Sequence, residues 1–241
     1  MLKRLLTVAV IASASAAGLM ADDFFSTDKC DTFMDLGVRL GVNTSNRTIG
    51  KDAFAGAYHH ENWGCGFDFG AVATLNIRDY IAIQPGVFFS HRAGSFTLMA
   101  DGIANPEYPD QTYSVSQAGT RKTENLVIPV MAVVRLNVTD NVRWNVEAGP
   151  YLSILLSSSI RNKRVYSSET LDPTPLFTTT PSGCDFGFKL GTGLQLFDHW
   201  YVGVHYMAAC THAWKEQKVG SYHKDFGGLA KGWLFSIGYD F

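Results

Sequence analysis

The feature that most limits how this chain can fold is a strict alternation of apolar and polar residues. In the segment Phe33–Asn43, every second residue from Met34 onward is apolar, and Asp, Gly, Arg or Asn fill the positions between. Successive side chains of a β-strand point to opposite faces, so the pattern predicts a strand with one apolar face and one polar face. Strands that cross an outer membrane show it over roughly 9–11 residues, with the apolar face toward lipid.

Seven further segments repeat the pattern, although the fourth strand along the chain is less regular than the others. They are Cys65–Ile77, Tyr80–Arg92, Asn125–Val138, Arg143–Ile154, Asp185–Leu196, Trp200–Tyr206 and Gly232–Phe241. The polar faces are rich in Gly and isolated charges, as a narrow lumen requires, whereas a soluble barrel would enclose its apolar face.

The connections between these segments alternate strictly in length. Three are short and polar: Arg78-Asp79, Thr139–Asn141 and Asp198-His199. Four are long: Thr44–Gly64, Ala93–Glu124, Arg161–Gly183 and Thr211–Lys231. This alternation is typical of outer-membrane barrels, which have short periplasmic turns and long extracellular loops. We therefore predict an all-β fold, an eight-stranded antiparallel transmembrane β-barrel over residues 33–241.

The two ends of the chain carry signals for export and assembly. Residues 1–21 read as a signal peptide, with Lys3 and Arg4 before the apolar run Leu5–Ile11, and residues 22–32 are then a short periplasmic segment. The net charge of −2 shows no nucleic-acid footprint. The last strand resembles the C-terminal signal that the assembly machinery of bacterial outer membranes reads. Its residues are Trp233, Phe235, Ile237, Tyr239 and Phe241. The predicted location is the outer membrane of a Gram-negative bacterium.

Aromatic residues near the strand ends predict girdles at the two membrane interfaces. They are Phe33, Tyr80, Trp144, Tyr151, Trp200, Tyr201, Trp233 and Tyr239.

A set of charged residues and one histidine falls on the inward face by parity. They are Asp35, Arg39, Asp68, Arg135, Arg143, Glu147, Asp185, Lys189, His205 and Asp240. One interpretation is a path for protons or ions. The other is a charge-paired polar core that fills a lumen only just wide enough for side chains. We favour the paired core, because buried charges are normally paired.

Catalytic, cofactor and metal signatures are weak, so we predict that the protein is not an enzyme. Ser90-His91 supplies a hydroxyl and a base, but the sequence shows no matching acid. The histidines of His59-His60-Glu61, together with His212 and His223, have no spacing of a known metal site.

Of the four cysteines, Cys184 and Cys210 lie at nearly equal distances from the turn at Asp198. A disulfide between these two is a hypothesis, since an exported chain permits one. Cys30 precedes the first strand and is a lone periplasmic thiol on this interpretation.

Several motifs, in order, resemble those of the PorT-like outer-membrane β-barrel family. They are Leu36–Asn43, Ile83–Ser90, Leu126–Val130, Ala148–Leu152, and Asp185–Gly187 followed by Gly191–Gly193. Gly86 stands where the family usually has an acidic residue. The resemblance covers nearly all of residues 33–241, and it implies a barrel in the outer membrane. One member of that family is tied to protein secretion across the outer membrane, and these motifs describe barrel architecture rather than a site.

The long loops are the expected functional surface, because rigid scaffolds usually present recognition on loops. We predict a non-enzymatic binding, adhesion or structural module that contacts outer-membrane lipid and the assembly machinery. The alternatives are a component of a secretion or envelope-assembly apparatus with a partner protein, a lipid-modifying enzyme that depends on His91, and a narrow channel.

Overall fold

The computed structural model describes residues 32–49, 57–104, 110, 112–167, 177–212, 214–219, 222–224 and 228–241. The predicted signal peptide, most of the periplasmic segment and Cys30 lie outside these residues. The described residues form twelve strands: β1 (Met34–Ile49), β2 (Ala57–Glu61), β3 (Gly64–Arg78), β4 (Ile81–Ala104), β5 (Thr112–Thr139), β6 (Val142–Ser167), β7 (Phe177–Pro181), β8 (Cys184–Leu196), β9 (Trp200–Ala209), β10 (Trp214–Val219), β11 (Tyr222–Lys224) and β12 (Gly228–Asp240).

Eight of these strands close into a ring in the order β4-β3-β1-β12-β9-β8-β6-β5, with β5 pairing back to β4. Every neighbouring pair is antiparallel. The first and last strands of the barrel close it, from Gly37 opposite Asp240 to Ile49 opposite Gly228. The prediction of an eight-stranded antiparallel barrel is confirmed.

The three short turns lie at one end of the barrel, close to where the sequence predicts them. β3 and β4 are joined at Asp79 and Tyr80, and β5 and β6 at Asp140 and Asn141. The turn between β8 and β9 contains Phe197 and Asp198, with φ of 53° and 60°. These left-handed conformations suit the tight antiparallel turn, because the backbone twist of such turns matches that of the flanking strands.

The two faces of the ring have opposite chemistry. Apolar side chains such as Leu40, Phe69, Phe188 and Ile237 are exposed on the outer face, which is the face that meets lipid. The inner face carries the buried polar residues together with a minority of apolar ones. Among the described residues, no helix has the length and apolarity to cross a membrane.

Three strands extend far beyond their predicted ends. We predicted that β4 ends at Arg92, that β5 begins at Asn125 and that β6 ends at Ile154, but the ladders continue to Ala104, from Thr112 and to Ser167. Beyond the membrane the outer face of the sheet meets water, while the inner face holds buried side chains that include Gln117 and Arg121. The apolar alternation therefore disappears, although the backbone pairing persists. The predicted loop Ala93–Glu124 is therefore largely a β-hairpin.

This hairpin and the upper part of β6 form an extracellular sheet, which we call the extension (Ala93–Ala104, Thr112–Glu124 and Ser157–Ser167). The outermost apolar pair on its barrel side is Phe89 opposite Leu126. On β5, about 14 residues lie above this pair, which corresponds to roughly 45 Å along the strand at about 3.3 Å per residue. β2 adds to the edge of β4, and β7, β10 and β11 form a separate sheet within two predicted loops.

Two aromatic residues do not belong to the interfacial girdles. Tyr151 and Tyr201 face inward and are only 2% and 3% exposed. Their position near strand ends suggested an interface, but side-chain parity decides the face: Tyr151 shares the parity of Glu147 on β6, and Tyr201 that of His205 on β9. They fill the lumen instead.

Candidate functional site

The polar core of the lumen is built around a buried ion pair near the periplasmic end. Arg39 on β1 contacts Asp240 on β12 at 2.7 Å between Nη1 and Oδ1, with side chains 5% and 12% exposed. The guanidinium also lies over the Tyr201 ring, 4.3 Å from its centroid. The pair joins the first and last strands of the barrel, so it stabilises their closure from inside.

The centre of the lumen holds a three-residue network. The hydroxyl of Tyr201 donates to Oε1 of Glu147 at 2.7 Å, and Nε2 of His205 lies 2.8 Å from the other carboxylate oxygen. Tyr201 and His205 stand on β9 and Glu147 on β6, so the network bridges strands on either side of β8. All three side chains are buried, so each polar group depends on the others.

Lys189 adds a positive charge to this centre. Its ammonium group lies 5.3 Å from the centroid of the Phe88 ring, and the carboxylates of Glu147 and Asp68 stabilise its charge. Asp68 in turn accepts a hydrogen bond from Nδ2 of Asn43 at 2.6 Å. Acidic and basic groups therefore neutralise one another along the lumen.

The remaining predicted lumen residues lie nearer its ends. Arg135 is buried, and Asp185 is half-buried. Asp35 accepts a hydrogen bond from Nδ2 of Asn76 at 2.7 Å. Arg143 is not part of the core: it is half-buried at the periplasmic rim and its Nη2 lies 3.4 Å from Oδ1 of Asp198 in a turn.

The lumen also contains bulky apolar groups that the sequence analysis did not single out. Buried inward side chains pack into a cluster of Val72, Phe88, Val127, Tyr151 and Met207. Strand parity could have identified these inward residues, because Phe88 lies on the same face of its strand as Gly86 and Ser90. A lumen filled by side chains of both kinds is a packed core rather than an aqueous pore.

A second buried ion pair lies in the extracellular part, where Nη1 of Arg121 on β5 contacts Oε1 of Glu61 on β2. Burial lowers the pKa of Arg121 from its ordinary value, while the Glu61 carboxylate acts in the opposite direction. The guanidinium lies 5.3 Å from the centroid of the buried Phe96 ring. This pair joins β2 to β5 across β4, on the inner side of the extension.

His91 has an acidic partner that the sequence did not reveal. Its Nδ1 lies 3.8 Å from Oε1 of Glu124, which is directly opposite on β5, and its ring stacks on Phe67 at 5.2 Å between centroids. Ser90, however, is fully buried on the inward face, while His91 is on the outward face. The dipeptide therefore does not bring a hydroxyl and a base together.

The predicted disulfide between Cys184 and Cys210 is not formed, and both are exposed free thiols, as is Cys65. The amide of Cys210 donates to the carbonyl of Phe186, which places Cys210 two residues out of register with Cys184. Such a diagonal offset exceeds the span of a disulfide.

The histidines of the predicted loops do not converge. His60 pairs with Oδ1 of Asn62 at 3.0 Å, and His212 is exposed after the end of β9. The side chains of His59 and His223 lie outside the described residues. Among the described side chains, no group of three or more His, Cys, Asp or Glu has the geometry to hold a metal ion.

The residues of the predicted C-terminal signal form one outward row on β12. Trp233, Phe235 and Ile237 are exposed, and the terminal Phe241 is 72% exposed. The Tyr239 ring contacts His199 and Trp200, with centroids 5.4 Å and 5.3 Å away. This row is available at the barrel surface next to β1.

Comparison with known families decides the class of the protein. The model of the family described as outer membrane protein beta-barrel domain matches residues 26–213. The chain belongs to this family. An outer-membrane barrel of this family presents its outer face to lipid and its long connections to the exterior.

This chain is similar to several solved structures of outer-membrane barrels. They include Ail of Yersinia pestis (11% identity, 87% of this chain and 100% of that chain, TM-score 0.36). OprG of Pseudomonas aeruginosa is 10% identical over 86% and 95% of the two chains, with a TM-score of 0.45. Neisserial surface protein A is 10% identical over 87% and 98%, with a TM-score of 0.39. None of the curated proteins matches the chain.

Proposed function

We propose that this outer-membrane barrel is a closed, non-enzymatic module that binds partners at the cell surface through its extracellular extension. The barrel serves as a membrane anchor with a packed lumen, and the extension is the recognition element. The observation that supports this most directly is the length of the extension, which stands well above the last apolar pair, Phe89 and Leu126.

The chemistry of the extension favours contact with another molecule in water. Its outward side carries small polar and basic residues, including Ser95, Lys122, Ser159 and Arg161, together with Glu124 and the exposed Met99. A barrel needs none of these residues to cross the membrane or to close its ring. The partners on this proposal are outer-membrane lipid around the wall, the assembly machinery during insertion, and an external molecule at the extension, with no nucleic acid.

Shortening the β4–β5 hairpin tests the proposal. Arg92 is directly opposite Thr123, so joining them by an Asn-Gly turn removes residues 93–122, leaves the barrel ladder intact and takes away the strand that holds the upper part of β6. We expect cross-linking in intact cells to give a defined adduct with the full chain and none with the shortened chain. A matched control removes residues 214–224, which carry β10 and β11. An adduct that survives the shortened hairpin contradicts the proposal.

The alternative is membership of the PorT-like group with a role in a secretion or envelope-assembly apparatus. It is supported by the way two of the resembling motifs meet: Pro129 of the fourth-strand motif is directly opposite Tyr151 of the fifth-strand motif, and both are buried. The same cross-linking distinguishes the two, because an apparatus component gives an envelope adduct that persists when the hairpin is shortened.

A further inference from the structure

Among the described residues, the upper half of β6 has a neighbouring strand on one side only. As far as Ile154, β6 pairs with β5 on one side and with β8 on the other, where Ile154 is opposite Cys184. The amide of Leu155 donates to the carbonyl of Gly183 at 2.9 Å, which is the last bond on that side. From Leu156 to Ser167, the described residues pair only with β5. This segment is an open sheet edge.

The strand that would continue the ladder turns away. β7 ends at Pro181, immediately before β8, so it is the segment that would cover this edge if β8 continued upward. It pairs with β10 instead, and Ser182 and Gly183 separate it from β8. A Cβ at Gly183 would meet no atom within 4 Å, so the point where the strands part is open.

We propose that this edge of β6 is the docking site for an extended, acidic segment of a partner polypeptide, which adds to the sheet as a further strand. The proposal rests on the function proposed above and names the part of the extension that binds. Main-chain hydrogen bonds to an open edge give affinity, and side-chain chemistry selects the partner.

The regular part of the edge is long enough for such a strand. Register shifts interrupt the pairing with β5 next to Leu155 and next to Asn162. Between these two bulges, Ser157–Arg161 pairs residue by residue with Glu124–Thr120 and offers an unbroken row of backbone groups. A partner strand of about six residues therefore finds a flat template there.

The charge of the edge selects an acidic partner. Arg161 is exposed on the outward side, and Lys122 lies on the same side of the neighbouring strand, two pairs lower. The side chains of Ser157 and Ser159, which precede Arg161 on the same side of β6, are small, so they do not obstruct an approaching strand. Opposite charges on neighbouring strands stabilise a pair, whereas a basic strand would be repelled.

Bulges and basic residues also protect exposed edges from unwanted pairing, so protection is the competing explanation. A synthetic peptide that alternates Glu and Thr distinguishes docking at this edge from protection of the edge. Its binding to the full mature chain in lipid nanodiscs is measured by fluorescence anisotropy and by hydrogen exchange of the Ser157–Arg161 amides. The control peptide has the same side chains but N-methyl groups on alternate residues, so it cannot form a ladder.

We expect the unmodified peptide to bind and to slow exchange at Ser157–Arg161. N-methylation, which removes about three ladder bonds, should weaken binding by at least roughly tenfold. Arg161→Glu should weaken it similarly. Lys231→Glu should not, because Lys231 stands on β12 between two paired neighbours, Asn46 and Ala208.

Equal binding of both peptides would show charge attraction alone and overturn the proposal, as would the absence of binding. If the peptide fails while cross-linking still depends on the β4–β5 hairpin, the surface-binding function stands and only the docking site is wrong. If the peptide does not bind and cross-linking does not depend on the hairpin, the proposed function is wrong together with the docking site.

Discussion

The carboxylate of Glu147 lies 2.8 Å from Nε2 of His205, and the two side chains are only 4% and 3% exposed. They stand on β6 and β9, which are separated in the ring by β8, so the contact passes over the inner face of β8. The same carboxylate accepts a hydrogen bond from the Tyr201 hydroxyl and stabilises the charge of Lys189. Its removal therefore affects several buried groups at once.

Glu147→Gln keeps the shape of this side chain and removes its charge. We expect a loss of about 3–5 kcal/mol in the free energy of unfolding, because the buried Lys189 then loses one of the two carboxylates that stabilise its charge. Urea unfolding in lipid vesicles, followed by tryptophan fluorescence, measures it. The control is Asp198→Asn, which breaks the rim pair with Arg143 and should cost about 0–1 kcal/mol. Equal losses for the two variants would mean that the central network does not stabilise the barrel.

Gly203→Ala tests the packing of Tyr201 against the lumen wall. Gly203 and Gly193 are directly opposite each other, and the Tyr201 ring covers both so closely that a Cβ at either would overlap it. The ring must move and lose its bond to Glu147, so we expect a destabilisation of about 1–3 kcal/mol. Gly183→Ala is the matched control, since its Cβ meets nothing. A neutral Gly203→Ala variant would contradict the tight packing.

The sequence predicts the barrel well because the membrane imposes its chemistry on every spanning residue. Alternation identifies the eight strands and puts Arg39, Glu147, Lys189 and His205 on one face. It fails above the membrane, where a residue such as Lys122 meets water on the outer face and no periodic signal remains. Pairings across distant strands, such as Arg121 with Glu61, depend on the register of several ladders, which no local pattern contains.

Glu61→Gln should loosen β2 without unfolding the barrel. Arg121 would lose the carboxylate that offsets its burial. We expect faster hydrogen exchange and proteolysis at Ala57–Glu61, with the heat-dependent gel shift unchanged. Glu124→Gln is the control, because Glu124 is nearly half exposed and contacts His91 only at 3.8 Å. The attachment role is wrong if both variants behave alike.

The packed lumen predicts the absence of steady ion conductance. Phe88, Tyr151 and Met207 fill the cross-section together with the paired charges, so no continuous water column remains. Planar bilayer recordings of the refolded protein should show no discrete openings under conditions in which a sixteen-stranded porin conducts. Regular openings from the unmodified chain would support the channel alternative and would contradict the closed-barrel part of the proposed function.

Phe241→Ala should separate assembly from stability. The ring of Phe241 is 72% exposed, and the bond that its residue makes to the barrel, 2.8 Å to the carbonyl of Leu36, involves the backbone amide. The exposed ring contacts the Tyr239 ring edge-on, with centroids 5.4 Å apart, so truncation of the side chain should lower the free energy of unfolding by about 1 kcal/mol at most. If the C-terminal row is read by the assembly machinery, the amount of folded barrel in cells falls while refolding in vitro is unchanged.

Phe33→Ala is the control, since Phe33 is similarly exposed at the same end of the barrel but lies at the start of the chain's first strand. Equal accumulation of the two variants in cells would remove Phe241 from the signal, and failure of Phe241→Ala to refold in vitro would assign it a structural role instead.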